Sequence, residues 1–183
     1  MRIYLVGYMG VGKTTVGKKL ARMLDLPFYD LDAVITESVE RTIPEIFEAE
    51  GESGFRGVER SYLHKITDTH PSMVLSTGGG TPCFYDNMQF MNEQGITIYL
   101  QMDVASLSHR LINSKANRPL IANITAEGLQ AYVKRHLDER KDYYEDAHIT
   151  FPALGMGPAK YDRLVQEVRA LRASGLNGWK AKW

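Results

Sequence analysis

GYMGVGKTT, residues 7–15, is the stretch that decides the fold. Gly7, Gly12, Lys13 and Thr14 satisfy the spacing G-x-x-x-x-G-K-[ST] of a phosphate-binding loop. Each part has a job. The glycines let backbone N–H groups turn inward onto phosphate oxygens, and a helix that follows adds its positive N-terminal end. Lys13 supplies a mobile charge for the outer phosphates, and the Thr14 hydroxyl suits Mg²⁺. A nucleoside triphosphate with magnesium is the expected ligand. The loop alone leaves motor, switch and kinase open.

The flanks support the loop. RIYLV (2–6) is a short apolar run bounded by glycine and reads as a buried strand. KTTVGKKLARMLDL then spaces Val16, Leu20, Met23 and Leu24 at helical intervals. Downstream, PFYDLD, SMVLST (72–77), ITIYLQM and HITF read as four further strands. Helices are expected from Asp32 to about Arg41, after Thr42 with Pro44 in the first turn, over YDNMQFMNEQ before Gly95, and over DVASLSHRLI with Asp103 as N-cap. A long helix from about Thr125 to Asp146 and a last one over AKYDRLVQEVRALR complete the pattern. Alternating strands and helices imply β-α-β units, hence an α/β fold of three layers, α/β/α, around a central parallel sheet of about five strands.

The chain has 183 residues, enough for one sizeable core. A single domain is expected over 1–173, with NSKANRPLIAN (about 113–123) as a lid loop and 174–183 as a disordered tail. Basic and acidic residues balance at 22 each, which argues against nucleic acid or an anionic membrane as a partner. The opening apolar run stops at Gly7 and Lys13, too short for a membrane span. Cys83 is the single cysteine and fits a reducing compartment, so the expected location is the cytoplasm. With no exposed apolar stripe in the pattern, a monomer is expected.

Three features bear on what receives the phosphate. Asp30 and Asp32 close the second strand, and residues two apart on a strand share a face. Carboxylates at a strand's carboxyl end can serve a metal's water shell and a hydroxyl nucleophile, or one of them can cap the next helix. Arg56 lies among glutamates, where it can grip a substrate carboxylate or join a surface ion-pair web. Arg118 precedes Pro119 in a polar loop. Beside a phosphate loop, such an arginine can meet charge developing in phosphoryl transfer while the loop excludes water, or the segment can be an ordinary surface loop.

In order along the chain stand the phosphate loop, DLD, IPEIFEAEGESGFRGVE, LSTGGGTP, NRPL and LDERKDYYEDA. This series resembles the shikimate kinases, to about residue 150. The resemblance implies ATP-dependent phosphorylation of the 3-hydroxyl of shikimate, on the route to chorismate and the aromatic amino acids. It assigns ATP to Gly10, Val11, Gly12, Lys13, Thr14, Thr15, Arg110 and Arg118, with Arg110 near the adenine. It makes Asp32 the partner of the substrate hydroxyls. Arg56 and Arg140 would hold the carboxylate, supported by Glu59, with Gly78, Gly79 and Gly80 in close approach. Lys13 and Arg118 would stabilise the moving phosphoryl group, and Thr14 would hold Mg²⁺ with Asp30 acting through water. Many relatives carry an arginine after the last strand; here PALGMGPAKYD offers only Lys160, so the adenine contact there stays unassigned. His64, His70, His109, His136 and His148 show no metal-ligand spacing. A gluconate-type kinase and a catalytically silent nucleotide-binding module are the rival readings.

Overall fold

The computed structural model describes residues 1–112 and 124–175. Five strands form its sheet: β1 (Arg2–Val6), β2 (Phe28–Asp30), β3 (Met73–Ser76), β4 (Ile96–Gln101) and β5 (Ile149–Pro152). All pairings are parallel and the order is β2-β3-β1-β4-β5. Ile3 to Val6, Met73 to Leu75 and Ile98 to Leu100 are buried almost completely. Strands covered on both faces lose the apolar–polar alternation, which is why these runs are continuously hydrophobic.

Around the sheet lie α1 (Lys13–Leu24), α2 (Leu31–Val39), α3 (Ile43–Thr69), α4 (Asn87–Gln94), α5 (Val104–Ile112), α6 (Ala126–Asp138), α7 (Lys141–Glu145) and α8 (Pro158–Ala173). The architecture is three-layered, α/β/α. In α1, Val16 and Leu20 face the core, with Met23 and Leu24 at its margin. Helix α3 opens with a reciprocal cap, in which Thr42 Oγ1 accepts from Glu45 N and Thr42 N donates to Glu45 Oε2. Such caps contribute about 1 kcal/mol. Asp103 Oδ1 likewise accepts from Ser106 N at 2.8 Å.

Two expectations need correcting. Strand β2 ends at Asp30, and Asp32 stands on the first turn of α2, so the two carboxylates are not neighbours on one strand face. Leu31 and Ile35, both fully buried, fix the inward face of a helix from Leu31 onward. The helix expected over 125–146 is two helices. At Arg140 (φ −112°, ψ −10°) the hydrogen bonding tightens, Arg140 N reaching Leu137 O at 3.1 Å. The break aims α7 so that the buried Tyr144 hydroxyl donates to Gly79 O at 2.6 Å. Helix α3 is also kinked, at Gly51 (φ 69°, ψ −178°), a conformation that favours glycine.

The lid expected at 113–123, with Arg118, lies outside the described residues, as does the tail from 176 onward. Among the described residues no helix is long and apolar enough to cross a membrane.

Candidate active site

The carboxyl ends of β1, β2 and β3 share one edge of the sheet, the place where open parallel sheets bind ligands. β1 delivers the phosphate loop there. Gly12 closes the loop at φ 101° and starts α1, a left-handed conformation that a side chain would strain. Lys13 is 8 % exposed, and its ammonium donates to Gly7 O (2.7 Å) and Tyr8 O (3.1 Å). From α5, Arg110 Nη1 donates to Val11 O at 3.0 Å, so this arginine braces the loop's backbone. The Val11 side chain is buried in the core, which leaves only its main chain to serve a ligand. A cleft of about 290 Å³ opens over Gly10, Gly12, Lys13, Thr14 and Thr15 and runs to Asp30, Asp32 and the end of β3.

Thr14 Oγ1 donates to Asp30 Oδ2 at 2.8 Å. A hydroxyl beside a carboxylate, both oxygen donors at the phosphate cleft, fits Mg²⁺, which takes few protein ligands and keeps several waters. Asp30 is thus the N-cap residue of α2 by position, yet its side chain makes no cap bond and turns to Thr14 instead.

Next to this cleft lies a second cavity of about 130 Å³. Arg56 lines it and is 5 % exposed, which removes it from any surface ion-pair web. Its guanidinium lies 4.2 Å from the Phe84 ring centroid. Nη1 donates to Glu59 Oε2 at 2.9 Å, and Nη2 donates to Glu52 Oε1 at 3.1 Å. Glu59 is fully buried and accepts from Thr81 Oγ1 at 2.6 Å through its other oxygen. Gly80 allows this packing: a Cβ there would stand 2.5 Å from Arg56 Nη2. Arg140, half-buried at the break before α7, lines the same cavity beside Gly78, Gly79 and Gly80.

Both cavities share Met9, Asp32, Gly78 and Gly79. Asp32 reaches the cleft but protein crowds its other sides. Burial, then the charges of Glu59 and Asp30, push its carboxyl up to about 6 against the opposing pull of Lys13 and Arg56. It is the titrating group at the junction.

All described members of the expected site converge on this edge; Arg118 lies outside the described residues. Several partners escaped the sequence reading. Tyr144 and Thr81 hold Gly79 and Glu59 in place, and both stand in segments already singled out, DYYEDA and GGGTP. The phenol of Tyr8, in the loop itself, hydrogen-bonds His136 Nδ1 at 2.9 Å. Burial and the nearby Arg140 charge lower the pKa of that imidazole to about 4, so it is neutral. Lys160 turns back onto Leu154 O and, at 3.4 Å, Pro152 O, so it ties its own loop together. Cys83 is pushed up to about 11, chiefly by burial, and is a poor nucleophile. Among the described residues no group of His, Cys, Asp and Glu forms a metal cluster.

A phosphate loop on a parallel sheet, opening onto a cavity with two guanidinium groups and a junction carboxylate, defines a small-molecule phosphotransferase of the P-loop class. The shikimate kinase family profile matches residues 9–168. The chain therefore belongs to the shikimate kinase family. It is 45 % identical over 152 residues to a shikimate kinase of Parabacteroides distasonis, covering 83 % of this chain and 87 % of the relative. The crystal structure of a shikimate kinase from Bacteroides thetaiotaomicron superposes with a TM-score of 0.84 at 40 % identity, covering 94 % of this chain and 98 % of that one. A shikimate kinase of Acinetobacter baumannii, in complex with shikimate, gives 0.78 at 38 % identity, covering 95 % and 93 %.

Proposed function

We propose that this chain transfers the γ-phosphoryl group of ATP to the 3-hydroxyl of shikimate, giving shikimate 3-phosphate for chorismate and aromatic amino acid synthesis. One observation carries the reading: the phosphate cleft and the arginine-lined cavity meet at Asp32. A donor and a carboxylated acceptor placed in them face each other across one titratable group.

Main-chain N–H groups from Gly10 to Thr15 cradle the phosphates, and Arg110 braces the loop near the adenine. Arg56 and Arg140 hold the shikimate carboxylate, while Glu59 fixes Arg56. Gly78, Gly79 and Gly80 let backbone approach the ring. Ionised Asp32 orients the 3-hydroxyl and accepts its proton as the oxygen bonds to the γ-phosphorus. The bond between that phosphorus and the β–γ bridging oxygen breaks, and ADP carries the electron pair away. Lys13 leaves its carbonyl partners to meet this charge, joined by Arg118. Thr14 directly, and Asp30 through water, would hold Mg²⁺, which neutralises phosphate charge when bound.

A lone cysteine supports a cytoplasmic location, and a sequence pattern without an apolar stripe supports a monomer. The test is ADP release with magnesium against a panel of hydroxy acids. Release that depends on shikimate is expected; release with gluconate and none with shikimate overturns the assignment.

A further inference from the structure

Both terminal nitrogens of Arg56 are already taken by carboxylates: Nη1 donates to Glu59 and Nη2 to Glu52. A substrate carboxylate gripped by Arg56 would need one of these positions. One of the two must give way, and their surroundings say which. Glu59 is fully buried between Arg56 and Thr81. Glu52 has a side chain 54 % exposed and makes one hydrogen bond among the described residues, to Arg56 Nη2. Its partner is nearly inaccessible, at 6 %. It also directly follows Gly51, whose kink separates it from the first half of α3. Leaving for water costs such a group little.

We propose that Glu52 is a placeholder for the acceptor's carboxylate: it neutralises Arg56 until an incoming carboxylate takes Nη2, and it thereby sets acceptor affinity. Arg56 is held ready in its working geometry, stacked on Phe84 and tied to Glu59, by a partner weak enough to displace. The exchange swaps one ion pair for another, so it favours acceptors that bring a carboxylate. A neutral polyol would leave Glu52 in place and gain nothing from Arg56. This inference rests on the reading that Arg56 receives the shikimate carboxylate.

Steady-state kinetics of the full chain separate the two ideas. For Glu52→Gln the shikimate KM is expected to fall about threefold, the weight of one partly exposed ion pair, while the ATP KM stays put. An unchanged or higher shikimate KM in that variant overturns the placeholder. Arg56→Gln is the control, with Arg140→Gln in its place should it not fold. A raised shikimate KM there keeps the acceptor reading whatever Glu52→Gln does. A shikimate KM at the wild-type value removes the acceptor reading itself.

Discussion

Asp32 makes two opposed demands on the molecule. As the group between donor and acceptor it has to be ionised, yet burial and the neighbouring carboxylates favour its neutral form, with the pKa at about 6. At saturating Mg-ATP, kcat/KM for shikimate is expected to fall with unit slope below about pH 6, read from a pH–rate profile; a flat profile to pH 5 would exclude Asp32 as the proton acceptor. The same shift is a stability statement. A carboxyl whose folded pKa is raised stabilises the fold below its unfolded value of 3.8, and that contribution is lost as pH rises through 6. Asp32→Asn should therefore abolish transfer while raising stability at pH 8 by on the order of 1–3 kcal/mol. The gain should vanish near pH 4, where both proteins are neutral at this site. Denaturation curves at the two pH values check it. The arginines behave differently. Arg56→Ala or Arg140→Ala should cost acceptor binding about 2–4 kcal/mol with little change in nucleotide affinity, as titration calorimetry with each ligand would show.

At the scale of elements, the phosphate loop with its strand and helix was fully legible, because its chemistry is local: glycine torsions, a lysine and a hydroxyl within nine consecutive residues. The start of a helix after Thr42, with Pro44 in its first turn, was legible for the same reason. The end of β2 was not. Asp30 and Asp32 read equally well as strand or helix start, and what decides is the burial of Leu31 and Ile35, a tertiary fact. The break at Arg140 was invisible too, since nothing in LDERKDYYEDA announces it; the reward is a bond made to Gly79, far off in sequence. Glycine repeats carry no meaning until a neighbour arrives. Gly80 is a spacer for the Arg56 guanidinium, so Gly80→Ala should push Arg56 out of place. The expected outcome is a raised shikimate KM with the ATP KM unmoved; equal changes in both would show that the turn itself had collapsed.

Across the whole molecule, the two cavities depend on elements that meet only at their edges. The donor half stands on β1 and α1, and the acceptor half draws on α3, the turn after β3, and the start of α7. Gly79 belongs to both halves, and its carbonyl is fixed by Tyr144 from α7. That phenol is fully buried, and desolvation raises its pKa, so it stays a donor at every working pH. Removing it leaves a carbonyl in a tight site without its partner, at a cost of about 1–3 kcal/mol. For a chain of this length that is a fall in Tm of about 2–12 °C. Tyr144→Phe should show this loss and, because Gly79 lines both cavities, should weaken both substrates by similar factors. A variant that lost stability but bound ATP and shikimate as the wild type does would mean that the Gly79 turn is held by the loop's own packing, and that α7 is a structural strut with no part in joining the two halves.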